Sequence, residues 1–281
     1  MIIPATAHEY FLTMVGSPDN LVIRVKTIEP SKANEVLVKV HAVSLQFRDL
    51  QVAVGKYPAI YSDHLVPCSD MAGEIVAIGT DVKDWKKGDR VCANLAADHL
   101  YGDSSYIIKE SHLGCQSPGV LTEYRTFRSH VIFLIIPILD SLTYKKRCAA
   151  LTAYNCLQGP VPLKAGDYVL ILGTGGVPTK TPNWDEEKLK ITTGLDCGCG
   201  TLAKSIKSVR LAGYLHIVGY VSDQGKADVD IVKISISKGI TLRGIQIGSI
   251  AQFKDMTCLL SANPEMTRPF IDKIFSKRQI R

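Results

Sequence analysis

The sequence predicts an α/β protein in two parts, an all-β block followed by a parallel sheet flanked by helices. Three observations predict it. Short apolar strand runs separated by turn chemistry extend from Asn20 to Val91. After Pro137, helical and strand-like runs alternate, the pattern of a parallel sheet. The apolar run from Tyr168 to Leu172 then enters Gly173, Thr174, Gly175 and Gly176, as a strand enters a phosphate-cradling turn.

In the first part, Val36 to Val40 alternates apolar residues with a position such as Lys39, and Gly73 to Ile78 is an apolar run ending at Gly79. Lys86, Lys87, Gly88 and Asp89 form a turn before Arg90 and Val91. Between these strands, Ala42 to Pro58 holds a polar group (Gln46, Arg48, Asp49) followed by helical apolar spacing closed by Gly55, which predicts a turn or two of helix on a loop. Val131 to Leu139 falls short of the roughly 20 apolar residues a spanning helix needs and is interrupted by Pro137, so it reads as a buried strand. In the second part, Cys148 to Leu157 is a helical run, and Lys164 to Asp167 is a turn into the strand at Tyr168. Thr201 to Arg210 reads as helix, Gly213 to Val221 as strand, Val232 to Gly239 as short helix or strand, and Ile240 to Gly248 as strand.

The chain has 281 residues, 46% hydrophobic and 21% charged, which excludes a disordered polypeptide. A formal charge of +6 without any clustered Lys/Arg stripe argues against a nucleic-acid partner. The densest basic stretch, Ser276 to Arg281, reads as a solvated tail. No positive region followed by a long apolar run opens the chain, so the expectation is a cytoplasmic protein with no membrane partner. The eight cysteines read as free thiols. Cys197 and Cys199 flank one glycine but have no second pair and no nearby histidine, so they do not read as a metal site.

The glycine turn is not followed by the apolar helix that should aim its N–H groups at a phosphate: the next residues are Val177, Pro178, Thr179 and Lys180. Asn183 to Lys190 reads as a short helix with Asn183 at N-cap and Glu186 at N3, too short and too acidic to serve as a crossover.

The stretches SLQFRDLQVAVGKYP, VPCSDMAGEIVAIGTDVKDWKKGDRV, GVLTEYRTF, LTAYNCL, LKAGDYVLILGTGGV, GTLAKSIKSVR, ITLRGIQIGSIAQF and RPFIDKIF follow one another in an order that resembles the medium-chain dehydrogenase/reductase superfamily. Within it, they are similar to the zinc-free quinone-oxidoreductase-like members. The resemblance implies a GroES-like catalytic domain over residues 1–138, a Rossmann cofactor domain over 139–250 and a C-terminal return segment over 251–281. It implies hydride transfer between NADPH and a carbonyl or activated C=C (an enone, a quinone, or an alcohol/aldehyde pair), with a small-molecule substrate and the oligomeric state open. It places Thr174, Gly175, Gly176 and Val177 at the pyrophosphate, Thr152 at the nicotinamide amide, and Gly219, Gly248 and Ser249 in the cleft near the ring. Gln46, Phe47, Arg48 and Asp49 occupy the catalytic loop, where relatives often carry Asn and Tyr in the first two places.

Each assignment has an alternative in the residues themselves. Gly175 and Gly176 can simply close a strand–helix turn, Thr152 can bond back to its own helix, and Arg48 with Asp49 can form a local ion pair. Zinc-dependent relatives place Cys, His and Cys where this chain has Gln46, Ser69 and Cys148, so the resemblance implies no zinc.

The chain also departs from the family. From Val177 it jumps to the later TPNWDEE segment, a loss of about two βα units that includes the strand end reading the adenosine ribose. A whole apolar strand is expected between Asp196 and Gly200, several residues are expected between Tyr144 and Cys148, and the family continues past FSKRQIR with a helix and a returning strand. The expectation is therefore a truncated Rossmann domain that binds NADPH weakly, with a non-catalytic remnant as the alternative function.

Overall fold

Alternation of apolar and polar residues drives the first part of the chain into antiparallel sheets, because each strand can bury one face. The structure, a computed structural model, describes residues 2–59, 61–62, 64–134, 147–172, 191–196, 201–219, 230–264 and 273–276. The chain divides into two compact units, Met1–Ala150 with Ser249–Arg281, and Leu151–Gly248.

In the first unit, β1 (Thr6–Leu12) and β2 (Leu21–Thr27) form an antiparallel pair in register from Thr6 opposite Thr27 to Leu12 opposite Leu21. β3 (Glu35–Ser44) is followed by helix α1 (Phe47–Ala53), β4 (Asp70–Ile78), β5 (Arg90–Ala93), helix α2 (Tyr106–Glu110), β6 (Tyr124–Arg128) and β7 (Ile132–Leu134). The last five strands make one antiparallel sheet in the order β6-β3-β4-β5-β7. Val36, Val38, Val40, Ile75, Val91 and Phe127 pack in its core, each buried. The apolar run at Val131 becomes the short β7, and residues 135–139 of that expected strand lie outside the described residues.

Turn chemistry acts as the sequence predicts, and twice in the same way. Asp89 Oδ2 accepts from Lys86 N at 2.9 Å, and Asp167 Oδ2 accepts from Lys164 N at 2.8 Å. Gly88 and Gly166 hold φ of 91° and 90°, a conformation that a residue with a Cβ rarely adopts.

In the second unit, α3 (Arg147–Gln158), which begins at the boundary, leads to β8 (Val169–Ile171), β9 (Ile191–Asp196), helix α4 (Leu202–Ser208), β10 (Val209–Ile217), helix α5 (Ile231–Lys238) and β11 (Thr241–Gly244). The four strands are parallel in the order β11-β10-β9-β8. Ile191, Ile206, Val209, Leu215 and Ile240 form the core beneath α4 and α5. Several boundaries differ from the sequence reading. The helix expected to Arg210 stops at Ser208, because Val209 pairs with Ile191 and starts a strand four residues before Gly213. A register shift between Val209 and Tyr214 absorbs those residues, with Ala212 at φ 54°. The ambiguous Val232 to Gly239 run is helix, started by Asp230 Oδ1 accepting from Lys233 N at 2.9 Å and ended by Gly239 at φ 58°. The strand expected over Ile240 to Gly248 is only four residues long.

The largest correction is β9. No strand is expected at Ile191–Asp196, yet all six residues are buried between β8 and β10. Gly194 lets the strand sit there, since a Cβ on it would lie 2.8 Å from Leu215 Cδ1. The expected helix at Asn183 to Lys190, the glycine turn, Cys197 and Cys199 all lie outside the described residues.

Back in the first unit, α6 (Ile250–Ala262) has its four N-terminal N–H groups satisfied. Ile250 N donates to His99 O at 2.7 Å, Ala251 N to Leu100 O at 3.0 Å, Gln252 N to Ser249 Oγ at 3.3 Å and Phe253 N to Ser249 O at 2.9 Å. Phe253 stacks on Phe133 with ring centroids 4.6 Å apart. Among the described residues, no helix is long and apolar enough to cross a membrane.

Candidate active site

The 46–49 loop is built by its own first turn. Gln46 N donates to Asp49 Oδ2 at 2.8 Å, and Asp49 N donates to Gln46 O at 3.0 Å, which starts α1; Gly55 at φ 74° follows its end. Arg48 and Asp49 form the ion pair that the sequence allowed, Nη2 to Oδ1 at 3.2 Å, with both side chains largely buried. The same Nη2 donates to Leu113 O at 3.0 Å, so Arg48 ties the loop to the segment that follows α2. Phe47 is half-exposed.

Burial raises the Asp49 carboxyl above the ordinary carboxylate value, while the adjacent Arg48 guanidinium and the Gln46 N–H oppose it. The Cys68 thiol hydrogen-bonds to Asp49, and burial pushes it well above the ordinary thiol value, so it is a protonated donor rather than a nucleophile. Cys68 holds φ of 68°, unusual for a residue with a side chain. Its backbone is clamped by Gly119 and Gly114, on which a Cβ would come within 2.2 and 2.6 Å of Cys68 O. His112, buried beside Arg48, Lys109 and His99, is driven down to about 4, chiefly by desolvation.

Gln46 and Ser69 converge on one carboxylate. Gln46 Nε2 donates to Asp70 Oδ2 at 3.1 Å and to Ser44 Oγ at 3.0 Å, and Ser69 Oγ donates to Asp70 Oδ1 at 3.1 Å. Asp70 is buried at the start of β4. Among the described residues, no three His, Cys, Asp or Glu side chains gather as metal ligands. The side chain of Cys148 lies outside what is described.

A cavity of about 1050 Å³ opens beside this network, within the first unit. Gln46 and Asp49 line it, with Cys68, Leu50, Tyr10 and Leu121 among their neighbours. Its size suits a drug-sized ligand, for which about 300–1,000 Å³ is usual.

The residues expected to hold a cofactor are only partly visible. Thr174, Gly175, Gly176 and Val177 lie outside the described residues. Thr152 is half-buried on α3, Gly219 follows β10 half-buried, and Gly248 is buried at the end of the second unit. Asn155 on α3 donates to Ile247 O at 2.9 Å and its side-chain oxygen accepts from Arg243 at 3.0 Å, which fixes α3 against the 247–248 segment. Ser249 has a structural task as the N-cap of α6, in a capping box with Gln252. Asp70, Cys68 and Asn155 do not stand out as site residues in the sequence. For Asp70 a signal exists, an acidic residue opening a mostly apolar strand run, which must find donors once buried.

Comparison with known proteins agrees with this architecture. Residues 32–137 match the alcohol dehydrogenase GroES-like domain family. A zinc-type alcohol dehydrogenase-like protein of Schizosaccharomyces pombe is 30% identical over 307 residues, 90% of this chain and 87% of that protein. That aligned stretch is longer than this 281-residue chain, so the relative carries residues that this chain lacks. Human quinone oxidoreductase is 28% identical over 166 residues, 57% of this chain and 44% of that protein. A Sinorhizobium meliloti 1021 structure, solved as a candidate alcohol dehydrogenase, superposes with a TM-score of 0.84 at 22% identity, covering 99% of this chain and 94% of that one. With a GroES-like domain, a parallel sheet in the second unit and a full-length relative at this identity, the chain belongs to the medium-chain dehydrogenase/reductase superfamily.

Proposed function

We propose that this chain is an NADP(H)-dependent oxidoreductase, moving a hydride between the nicotinamide and a carbonyl or activated C=C substrate without a protein-held metal. The observation that carries the metal-free reading is the convergence of Gln46 and Ser69 on Asp70. An amide nitrogen and a hydroxyl, each already hydrogen-bonded to a carboxylate, do not fit a tetrahedral zinc site. The alcohol dehydrogenase and quinone oxidoreductase names of the relatives support the reaction class.

When bound, the nicotinamide supplies or accepts the hydride. The chain's own residues bind and orient. The largely apolar cavity beside Gln46 takes the substrate. Arg48, spent on Asp49 and Leu113 O, is a positioning residue that holds the loop, and the charge developing on the substrate oxygen falls to backbone donors and water. Thr152, Gly219, Gly248 and Ser249, with Thr174, Gly175, Gly176 and Val177, are the proposed cofactor contacts, within a cofactor part at 139–250 that follows a catalytic part at 1–138.

One observation favours the second reading, a non-catalytic remnant: the relative's additional residues. Losing the half-site that grips adenosine weakens NADPH by about 3–5 kcal/mol, which moves a micromolar site toward millimolar. Titration of NADPH fluorescence on the purified chain tests this. Saturable binding abolished by Gly175→Asp supports the enzyme; no binding at millimolar NADPH supports the remnant.

A further inference from the structure

All four strands of the second unit run parallel, so their carboxyl ends lie at one edge of the sheet. In open α/β sheets that edge is where ligands bind. The chain leaves β10 through Val218 and Gly219, and leaves β11 through Ile245 to Gly248. α3 packs over this edge, where its Cys156 and Leu157 form a small core with Leu195, Val218 and Ile245. Gly219 and Gly248 carry no side chain, which lets a ligand approach the backbone there.

One buried side chain ties the helix to the last of these segments. Asn155 Nδ2 donates to Ile247 O at 2.9 Å, and Asn155 Oδ1 accepts from Arg243 Nη2 at 3.0 Å. Arg243 Nη1 also donates to Asn155 O at 3.2 Å. A guanidinium can only donate, so Arg243 fixes the amide oxygen toward itself and the amide N–H toward Ile247. Gly159 leaves room for this grip, since a Cβ on it would stand 2.8 Å from Arg243 Nη1 and 2.3 Å from Asn155 O. The 245–248 segment is anchored at its start, where Ile245 N donates to Ile217 O at 2.9 Å, and Asn155 anchors its end. Ile247 directly precedes Gly248, and Thr152 lies three residues before Asn155, on the same side of α3. The tie therefore sets the spacing between Thr152 and Gly248.

We propose that Asn155 is a positioning residue for the nicotinamide end of the cofactor, holding Gly248 at the distance from Thr152 that the ring needs. The proposal rests on the reading that Thr152 and Gly248 meet the cofactor. Asn155 is itself buried and acts through Ile247. Arg243 acts one step further away, by deciding which end of the Asn155 amide faces the segment.

The test uses reduced nicotinamide mononucleotide, which carries the ring and no adenosine, so a weakened adenosine half-site does not decide the result. Its binding to the full chain is followed by saturation-transfer NMR. In the unaltered chain the ring protons are expected to take up more saturation than the ribose protons. Asn155→Asp keeps an acceptor for Arg243 but turns a second acceptor toward Ile247 O. It is expected to weaken binding about three- to tenfold and to lower the ring-to-ribose ratio. Arg243→Met frees the amide to turn and is expected to move both readings the same way, by less. A tie that served the fold alone would lower the melting temperature and leave the affinity and the ratio of the folded protein as they were. Unchanged affinity and ratio in folded Asn155→Asp therefore overturns the proposal; should that variant not fold, Arg243→Met decides it by the same readings. The outcomes separate: no binding by the unaltered chain sinks the cofactor reading and the proposal with it, and binding that the variants leave unaltered sinks the proposal alone.

Discussion

Asp70 accepts hydrogen bonds from Gln46 and Ser69 through its two oxygens, at 3.1 Å each. By the family resemblance these are positions at which zinc-dependent relatives would carry ligands, and here a buried carboxylate joins the two side chains. The expected outcome of metal analysis on purified protein is zinc well below one per chain. One tightly held zinc per chain, lost in Cys148→Ala, would contradict it.

The clamp on Cys68 leads to a stability prediction. A methyl group on Gly119 would stand 2.2 Å from Cys68 O and 2.3 Å from Pro67 O, both backbone atoms that cannot step aside. Gly119→Ala is expected to yield insoluble or strongly destabilised protein, a loss of several kcal/mol or about the upper end for single substitutions. Gly244→Ala, with nothing within 4 Å of the added atom, is the control and is expected to express normally. Equal melting temperatures for the two would contradict the clamp.

Much of this fold is legible in the sequence itself. The strands at Val36–Val40 and Gly73–Ile78 announce themselves because each buries one face against a sheet, and the Lys-x-Gly-Asp turns because one carboxylate and one glycine suffice to form them. β9 was hidden because Ile191–Asp196 carries two threonines, a glycine and an aspartate, and its burial comes from neighbours on both sides rather than from its own hydrophobicity. Ser249 carries two signals at once: by resemblance it is a cleft residue, and with Gln252 it spells the capping box that starts α6. The Asp70 network was illegible because it joins residues 46 and 70, and only folding shows which donors a buried acid meets.

Lys238 holds α4 in place from α5. Its Nζ lies 3.0 Å from Ile206 O, 2.5 Å from Lys207 O and 2.8 Å from Val209 O, carbonyls around the end of α4. Lys238→Met keeps the aliphatic stem and removes the donors. The expected cost is about 1–3 kcal/mol, read as a lower midpoint in urea with an unchanged slope. An unchanged midpoint would show that water serves these carbonyls equally well.

His112 makes the protein sensitive to acid. Its folded value of about 4 lies below the ordinary 6.5, so between those pH values the unfolded chain takes up a proton that the folded chain refuses. Stability therefore falls as pH drops from 6.5 toward 4. His216, also lowered to about 4 by burial with Arg243 beside it, adds to the same trend. His112→Gln is expected to flatten the fall in melting temperature across this window without abolishing it. A profile that superposes on the unaltered protein's would remove His112 from the account.

The central claim, hydride transfer without a metal, is tested most directly by one measurement. NADPH consumption at 340 nm, at millimolar NADPH and with an enone or quinone, is followed on protein stripped with a strong chelator. The account predicts substrate-dependent consumption unaffected by chelation or added zinc. Absence of any turnover on folded, monodisperse protein, or turnover that chelation removes and zinc restores, would contradict it.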